Sequence, residues 1–292
     1  MKPRMVSTAR GDVEVAEIGG PGPTVLVVHG ISGDWRQART LAADLAADFH
    51  VLLPSRPGYG RTPLTTGRTA AEQGDAHAAL LDALGISGAA VVGVSGGGPS
   101  ARTFASQHPE RCPALVLCCA VASHLVEIPT ATRLLAGVPG AWQASARIGV
   151  RRQARLLADV TSARASILAE LPARERAAVA EDERVIEDVL AFHADRLVGL
   201  AYVTGLRNDY RDFRRSRAAG PIPWPKDVRV PTLVLHGDAD SVVDIAHGRY
   251  HAETIPGATL EVQEGAGHGF GLTLRRATNE RIRRFLLDLD TS

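Results

Sequence analysis

Strand-like and helix-like segments alternate along most of this 292-residue chain, and the alternation predicts an α/β fold: a doubly wound, mostly parallel sheet with an inserted helical cap. Three observations carry that expectation. Short runs such as Val25-Leu26-Val27-Val28 and Ala89-Ala90-Val91-Val92 are apolar without alternation, as strands buried on both faces are. Helical patterns separate these runs. Between Ala120 and Pro231 the strand rhythm stops, and alanine, leucine and arginine dominate, so the helices there form an insertion rather than crossovers.

The elements follow in order. Residues 5–9 and 13–18, divided by Gly11-Asp12, read as a hairpin at the sheet edge. Parallel strands are expected at 25–28, 50–53, 90–94, 114–119, 232–236 and 259–263, with helices at 37–47, 70–84, 97–107, 245–254 and 278–287. In the insertion, helical stretches cover 141–159, 163–171 and 180–206. Gly220-Pro221-Ile222-Pro223-Trp224-Pro225 cannot continue a helix and returns the chain to the sheet at Val230. The expected division is a core of residues 1–124 and 227–292 and a cap of residues 125–226.

Composition narrows the function. With 45% hydrophobic residues the chain can bury a full core, and its length suits one domain with an insertion better than two independent domains. The formal net charge of +1 is too small to hold nucleic acid or anionic lipid at a distance. Arginines cluster at Arg147, Arg151, Arg152 and Arg155 and at Arg211, Arg214, Arg215 and Arg217, but lysine occurs only at Lys2 and Lys226. A general use of arginine for lysine makes these runs solvated helix faces, and no nucleic-acid partner is expected. Cys112, Cys118 and Cys119 are odd in number. The adjacent pair falls on a buried strand, where alternate side chains face opposite ways, which argues for reduced thiols and a cytoplasmic protein. Basic residues near Met1 have no apolar stretch behind them, and no apolar run approaches the length of a membrane span.

The most informative segment is Gly93-Val94-Ser95-Gly96-Gly97, between the strand at 90–94 and the helix at 97–107. A serine at a strand-to-helix reversal occupies a strained turn, and flanking glycines keep Cβ atoms off the neighbouring strand and helix. Such a turn aims Ser95 Oγ into a cleft, beside the unpaired N–H groups and positive dipole end of the helix, where an oxyanion can form. The pentapeptide also suits an ordinary Gly-rich turn, so other segments must supply partners. A serine hydroxyl becomes a good nucleophile when an imidazole takes its proton, and the imidazole needs a carboxylate to fix its tautomer and stabilise its cation. Of ten histidines, His268 follows the last strand in Gly265-Ala266-Gly267-His268-Gly269-Phe270, at a strand's carboxyl end, where open α/β sheets place ligands. His29 and His236 read as structural, and His193, His247 and His251 fall on helical patterns. Gly237-Asp238-Ala239-Asp240-Ser241-Val242-Val243-Asp244 offers three carboxylates; Asp238 suits the turn and Asp244 the cap of a helix from Ile245.

Together with Thr24-Val25-Leu26-Val27-Val28-His29-Gly30-Ile31 and Arg56-Pro57-Gly58-Tyr59-Gly60-Arg61, these segments resemble the α/β-hydrolase family of the esterase/lipase-like kind. The resemblance runs from Val25 to Leu287, with a less similar insert between about Leu125 and Asp227. In that family the acid follows one of two strands. The first place, Ala120-Val121-Ala122-Ser123-His124, has no carboxylate, and Asp240 matches the Gly-x-x-Asp position of the second. The resemblance thus implies a triad of Ser95, Asp240 and His268 in the family's chain order. It also implies an oxyanion hole from the backbone N–H groups of Gly96 and Ile31, with Ser32 the alternative donor if the loop is shifted by one. The implied activity is cleavage of a carboxylic ester or related small-molecule acyl substrate through an acyl-enzyme. The same fold also serves C–C bond hydrolysis, aminopeptidase or amidase chemistry, lyase chemistry and perhydrolysis, and a ligand receptor that keeps the triad is the non-enzymatic alternative.

No cofactor or metal is expected. Gly93-x-Ser95-x-Gly97-Gly98 lacks the dinucleotide-binding order, and the cysteines lack Cys-x-x-Cys spacing. His247 and His251 stand four apart without the acidic partner of a zinc motif. Within the cap, Trp142, Phe192 and Tyr202 are candidates to line a substrate cavity.

Overall fold

The computed structural model describes residues 1–127, 130, 138, 140–195, 202–219 and 228–289. Its strands are β1 (Arg4–Thr8), β2 (Gly11–Ile18), β3 (Thr24–Val28), β4 (His50–Pro54), β5 (Ala90–Val94), β6 (Leu115–Cys118), β7 (Thr232–Gly237) and β8 (Thr259–Gln263). The helices are α1 (Trp35–Ala42), α2 (Ala70–Leu84), α3 (Gly98–Gln107), α4 (Ala141–Leu157), α5 (Val160–Glu170), α6 (Ala173–Glu181), α7 (Glu183–Asp195), α8 (Val203–Ala219), α9 (Ile245–Thr254), α10 (Phe270–Thr273) and α11 (Arg275–Asp288).

The strands form one sheet in the order β1-β2-β4-β3-β5-β6-β7-β8. The hairpin β1–β2 and the β2–β4 pair are antiparallel, and every other pair is parallel. Successive strand side chains point to opposite faces, so β3 and β5 feed two cores. Val25, Val27 and Val92 pack with Trp35, Ala38 and Leu41 of α1 and Ile282 and Leu286 of α11. Leu26, Val28 and Val91 pack on the other face with Leu80 and Leu81 of α2 and Ala101 and Phe104 of α3. Each fully buried Val or Leu contributes about 1.5–3 kcal/mol relative to exposure. That is why continuous apolar runs, rather than alternating ones, mark these strands.

Local chemistry sets the helix ends. Helix α2 keeps its expected bounds because Thr69 and Glu72 form a reciprocal capping box and Gly85, at φ 68°, ends it in the left-handed region. The span read as one helix at 37–47 divides: Asp34 caps α1 from Trp35, and a separate short turn covers Leu45–Ala47. Asp159 starts α5 at Val160, ahead of the apolar pattern, by accepting the Thr161 N–H. The helical stretch expected over 180–206 is divided as well. Asp182 is extended and accepts the Arg184 N–H at 3.1 Å, which ends α6 and begins α7. Positions 196–201 of that stretch, and the Pro-rich segment at 220–225, lie outside the described residues.

Helices α4 to α8 fall between β6 and β7 in the chain. They carry a small core of their own, Ile167, Val179, Val185, Ile186 and Val189, against which Leu272 of α10 packs. Phe213 of α8 instead joins Val121 and Val243 of the sheet's loops. The arginines of the two clusters are exposed. Among the described residues no helix is long and apolar enough to cross a membrane.

One expectation needs correction. Cys118 and Cys119 do not face opposite ways: β6 ends at Cys118, Cys119 turns into the left-handed region at φ 46°, and both side chains join the core on the α1 face. All three cysteines are buried and free.

Candidate active site

The loop after β5 is built around Ser95, whose φ of 51° is sterically costly for a residue with a Cβ. Packing enforces it. A Cβ on Gly93 would lie 2.6 Å from Ala101 Cβ, and one on Gly97 would lie 2.5 Å from Val28 O and 2.6 Å from His29 O. Glycine therefore lets α3 start close against β3 and β5, and the serine takes the strain. Ser95 O accepts the Val121 N–H at 3.0 Å, which ties the turn to the segment after β6.

Three carboxyl-end loops bring Ser95, Asp240 and His268 together. His268 Nε2 is 3.0 Å from Ser95 Oγ, and His268 Nδ1 is 2.7 Å from Asp240 Oδ2. The second oxygen of Asp240 accepts the N–H groups of Val242 and Val243 at 2.9 and 2.8 Å. Burial pushes this carboxyl's pKa up, but the hydrogen bond and charge of His268, followed by the two N–H donors, outweigh it and hold the pKa below the usual carboxylate value. The Asp240 side chain is closed to solvent, whereas that of His268 is 26% exposed, so protons can reach the site through the imidazole.

Asp238 and Asp244 stand elsewhere. Asp238 Oδ1 accepts the Gly265 N–H at 2.6 Å, linking the loops after β7 and β8, and Asp244 caps α9 through the Ala246 N–H at 2.8 Å. His236 donates from Nε2 to Val243 O at 2.8 Å, and burial lowers its pKa. It is thus a neutral brace under the loop that carries Asp240.

The backbone after β3 reaches the serine directly. A Cβ on Gly30 would lie 3.0 Å from Ser95 Cβ, and one on Gly96 would lie 3.1 Å from Ile31 N. Gly96 and Ile31 are therefore neighbours across the serine. Ser32, the alternative donor, adopts φ 58° in the same loop.

Ser95 and His268 open into a cavity of about 380 Å³ whose apolar wall includes Leu41, Val94, Phe192, Val242 and Leu272. Cys118 and Cys119 share this wall, Cys119 joining it through its left-handed backbone. Of the three aromatic candidates Phe192 lines the cavity; Trp142 and Tyr202 are not among the described lining residues, and Trp142 stacks on Tyr210 at 5.4 Å. His247 and His251 are both buried; His247 Nδ1 accepts the Ala122 N–H and His251 Nδ1 bonds Arg102, each at 2.9 Å. Their spacing reflects packing of α9. Among the described residues, the group able to converge on a metal is Cys119, Asp240 and His268, whose ligand atoms lie within 4.8 Å of one another.

Sequence reasoning passed over three buried charges around the site: Arg56, Asp209 and Glu175. Arg56 stands in one of the quoted segments, but Asp209 lies just before an arginine cluster that reads as solvated and Glu175 falls between the helical stretches at 163–171 and 180–206, and no sequence signal marks either as buried.

A family model described as the alpha/beta hydrolase fold matches residues 23–273. The uncharacterized hydrolase YcgS of Bacillus subtilis (strain 168) is 27% identical over 257 residues, covering 85% of this chain and 86% of that protein. The structure of an alpha/beta hydrolase fold protein from Nakamurella multipartita is 31% identical, with a TM-score of 0.69 over 97% of this chain and 99% of that one. A thermophilic esterase from Thermogutta terrifontis shares the fold at 22% identity, with a TM-score of 0.67 over 99% of both chains. With the match spanning the sheet from β3 to β8 and every loop that meets at Ser95, the chain belongs to the alpha/beta hydrolase fold family.

Proposed function

We propose that the protein is a serine hydrolase that cleaves a carboxylic ester or related acyl substrate through an acyl-enzyme. The observation that carries this reading is the unbroken line of hydrogen bonds from Ser95 Oγ through His268 to Asp240, opening into an apolar cavity. His268 Nε2 takes the Ser95 proton as Oγ attacks the carbonyl carbon. The charge that forms on the carbonyl oxygen meets the N–H groups of Gly96 and Ile31. The intermediate collapses, and the leaving alcohol takes the proton from His268. Water then attacks the acyl carbon with His268 again as base, and the acid departs as Ser95 regains its proton. Asp240 holds the imidazole throughout with Nδ1–H toward the carboxylate, leaving Nε2 free to accept. Each oxyanion donor is worth about 3 kcal/mol of transition-state stabilisation in sites of this kind.

In this reading residues 125–226 form a cap over the cavity, and among the described residues Phe192 of α7 is the cap side chain that meets the acyl group. The partner is a small acyl molecule, the setting is cytoplasmic, and no cofactor takes part.

The test combines covalent labelling with a panel of short-chain aryl esters. A fluorophosphonate should label Ser95, identified by peptide mapping, and Ser95→Ala should fold normally, resist the label and lose ester turnover. A Ser95→Ala variant within tenfold of the parent, a barrier change of only about 1.4 kcal/mol, would overturn the reading. Ligand-induced stabilisation with no turnover of any ester would favour the receptor alternative.

A further inference from the structure

Arg56 is enclosed, with 2% of its surface exposed, and its guanidinium binds in several directions. Nε donates to His29 O at 3.0 Å and Nη2 to Gly30 O at 3.3 Å. Nη1 and Nη2 also donate to the two carboxylate oxygens of Asp209, at 3.2 and 2.6 Å. Tyr59 OH donates to Asp209 Oδ2 at 2.6 Å, and its ring packs so tightly on α8 that a Cβ on Gly205 would lie 2.3 Å from it. Arg56 and Tyr59 belong to the loop after β4, whereas Asp209 is carried by α8.

Gly30 O has a second donor, His29 Nδ1 at 2.7 Å. The other ring nitrogen of His29 accepts the Arg56 N–H at 2.9 Å, and burial, followed by the Arg56 charge, holds the ring neutral. The consequence follows from peptide geometry. The C=O of Gly30 and the N–H of Ile31 belong to one planar trans unit and point in opposite directions. Donors that hold Gly30 O therefore also fix the direction of the Ile31 N–H.

A second enclosed acid does the same for the other half of the site. Glu175 on α6 is 0% exposed. It accepts the backbone N–H of Gly267, the residue before His268, and the Thr273 hydroxyl at 2.6 Å. Both acids come from the helices between β6 and β7, and each ends on a loop carrying one part of the proposed chemistry. Enclosed carboxylates are costly to desolvate, and a segment that only covered a cavity would have no use for them.

We propose that Asp209 and Glu175 are positioning residues through which the inserted helices hold the hydrolytic site together, Asp209 setting the oxyanion donor of Ile31 by way of Arg56 and Glu175 setting the loop of His268. The proposal rests on the hydrolytic reading above. It makes the insertion a frame for the site as well as its cover.

The test uses the full-length chain, ester turnover and a count of active sites by fluorophosphonate titration, with Ser95→Ala measured in parallel. Per titrated site, Asp209→Asn should lower kcat by about 10- to 100-fold, as loss or misdirection of an oxyanion donor does, with KM and the midpoint of the pH–rate profile unchanged. Glu175→Ala should lower kcat and also move that midpoint, because it frees the loop that carries the base. Tyr59→Phe, which keeps the Arg56–Asp209 pair, should fold and show a smaller loss of about threefold, and it decides the Asp209 arm if Asp209→Asn does not fold. Unchanged kcat per titrated site in these variants, with Ser95→Ala inactive, would overturn the positioning role alone. Turnover that survives Ser95→Ala would overturn the hydrolytic reading and the proposal with it.

Discussion

Asp240 meets His268 with one carboxylate oxygen, at 2.7 Å, and keeps the other for two backbone N–H groups of its own loop. The acid is thus fixed by the main chain before it touches the imidazole. Asp240→Asn should keep the fold but reduce turnover by on the order of 10⁴-fold, the cost of losing the orienting carboxylate in a serine triad. Asp244→Asn should change little, because asparagine caps helices as well as aspartate does. Asp238→Asn should leave kcat intact and lower stability by about 1 kcal/mol, because a neutral amide oxygen accepts the Gly265 N–H less strongly than the carboxylate does. Steady-state kinetics and denaturation on the three variants separate these outcomes; an active Asp240→Asn beside a folded, inactive variant of either neighbour would reassign the acid.

Stability should respond to pH through Asp212 on α8. Burial, then the nearby Asp209 carboxylate, pushes its pKa up to about 6, against the opposing pull of Arg215 and Arg56; Glu72 also raises it. Below about pH 3.9, the ordinary value for aspartate, the carboxyl is protonated in folded and unfolded chains and contributes nothing. Between there and pH 6 only the unfolded chain ionises, so stability falls, and above pH 6 the full cost is present. That displacement corresponds to at most about 3 kcal/mol, and screening of the half-buried group brings the expected effect to about 1 kcal/mol. Asp212→Asn should therefore stabilise the protein at pH 8 and not at pH 4 in urea unfolding. An equal gain at both pH values would refute the assignment.

Dialysis against a chelator should leave turnover unchanged. In the convergent group of Cys119, Asp240 and His268, the acid and imidazole already bind each other, and burial pushes the Cys119 thiol well up, so it keeps its proton and is a poor metal ligand. Activity lost on chelation and restored by zinc would show that a metal occupies this group.

Much of the architecture was legible in the sequence because its signals are local. Apolar runs between Gly and Pro locate the strands, and caps such as Thr69 with Glu72 fix helix ends within a few residues. Ser95 and His268 stand out because glycine surrounds them at strand ends. The failures have physical reasons. Asp182 breaks a helical stretch with one side-chain bond to the backbone, which periodicity does not register. Cys119 leaves the strand pattern through a single left-handed residue. Asp209 and Arg56 are 153 positions apart, and Asp209 lies just before Arg211, Arg214, Arg215 and Arg217, which are exposed as expected. Its burial is decided by tertiary packing against Tyr59 and not by its own helix.

The order of the strands has a bearing on when the proposed chemistry can exist. Strands β1 to β6 and their loops hold Ser95, Gly96 and Ile31, while Asp240 and His268 arrive only with β7 and β8, added at one edge of the sheet. A nascent chain that has completed the first six strands carries a serine without a base. On the proposed hydrolytic reading, a polypeptide cut within the inserted helices would give two fragments, each inactive, and ester turnover would report their reunion.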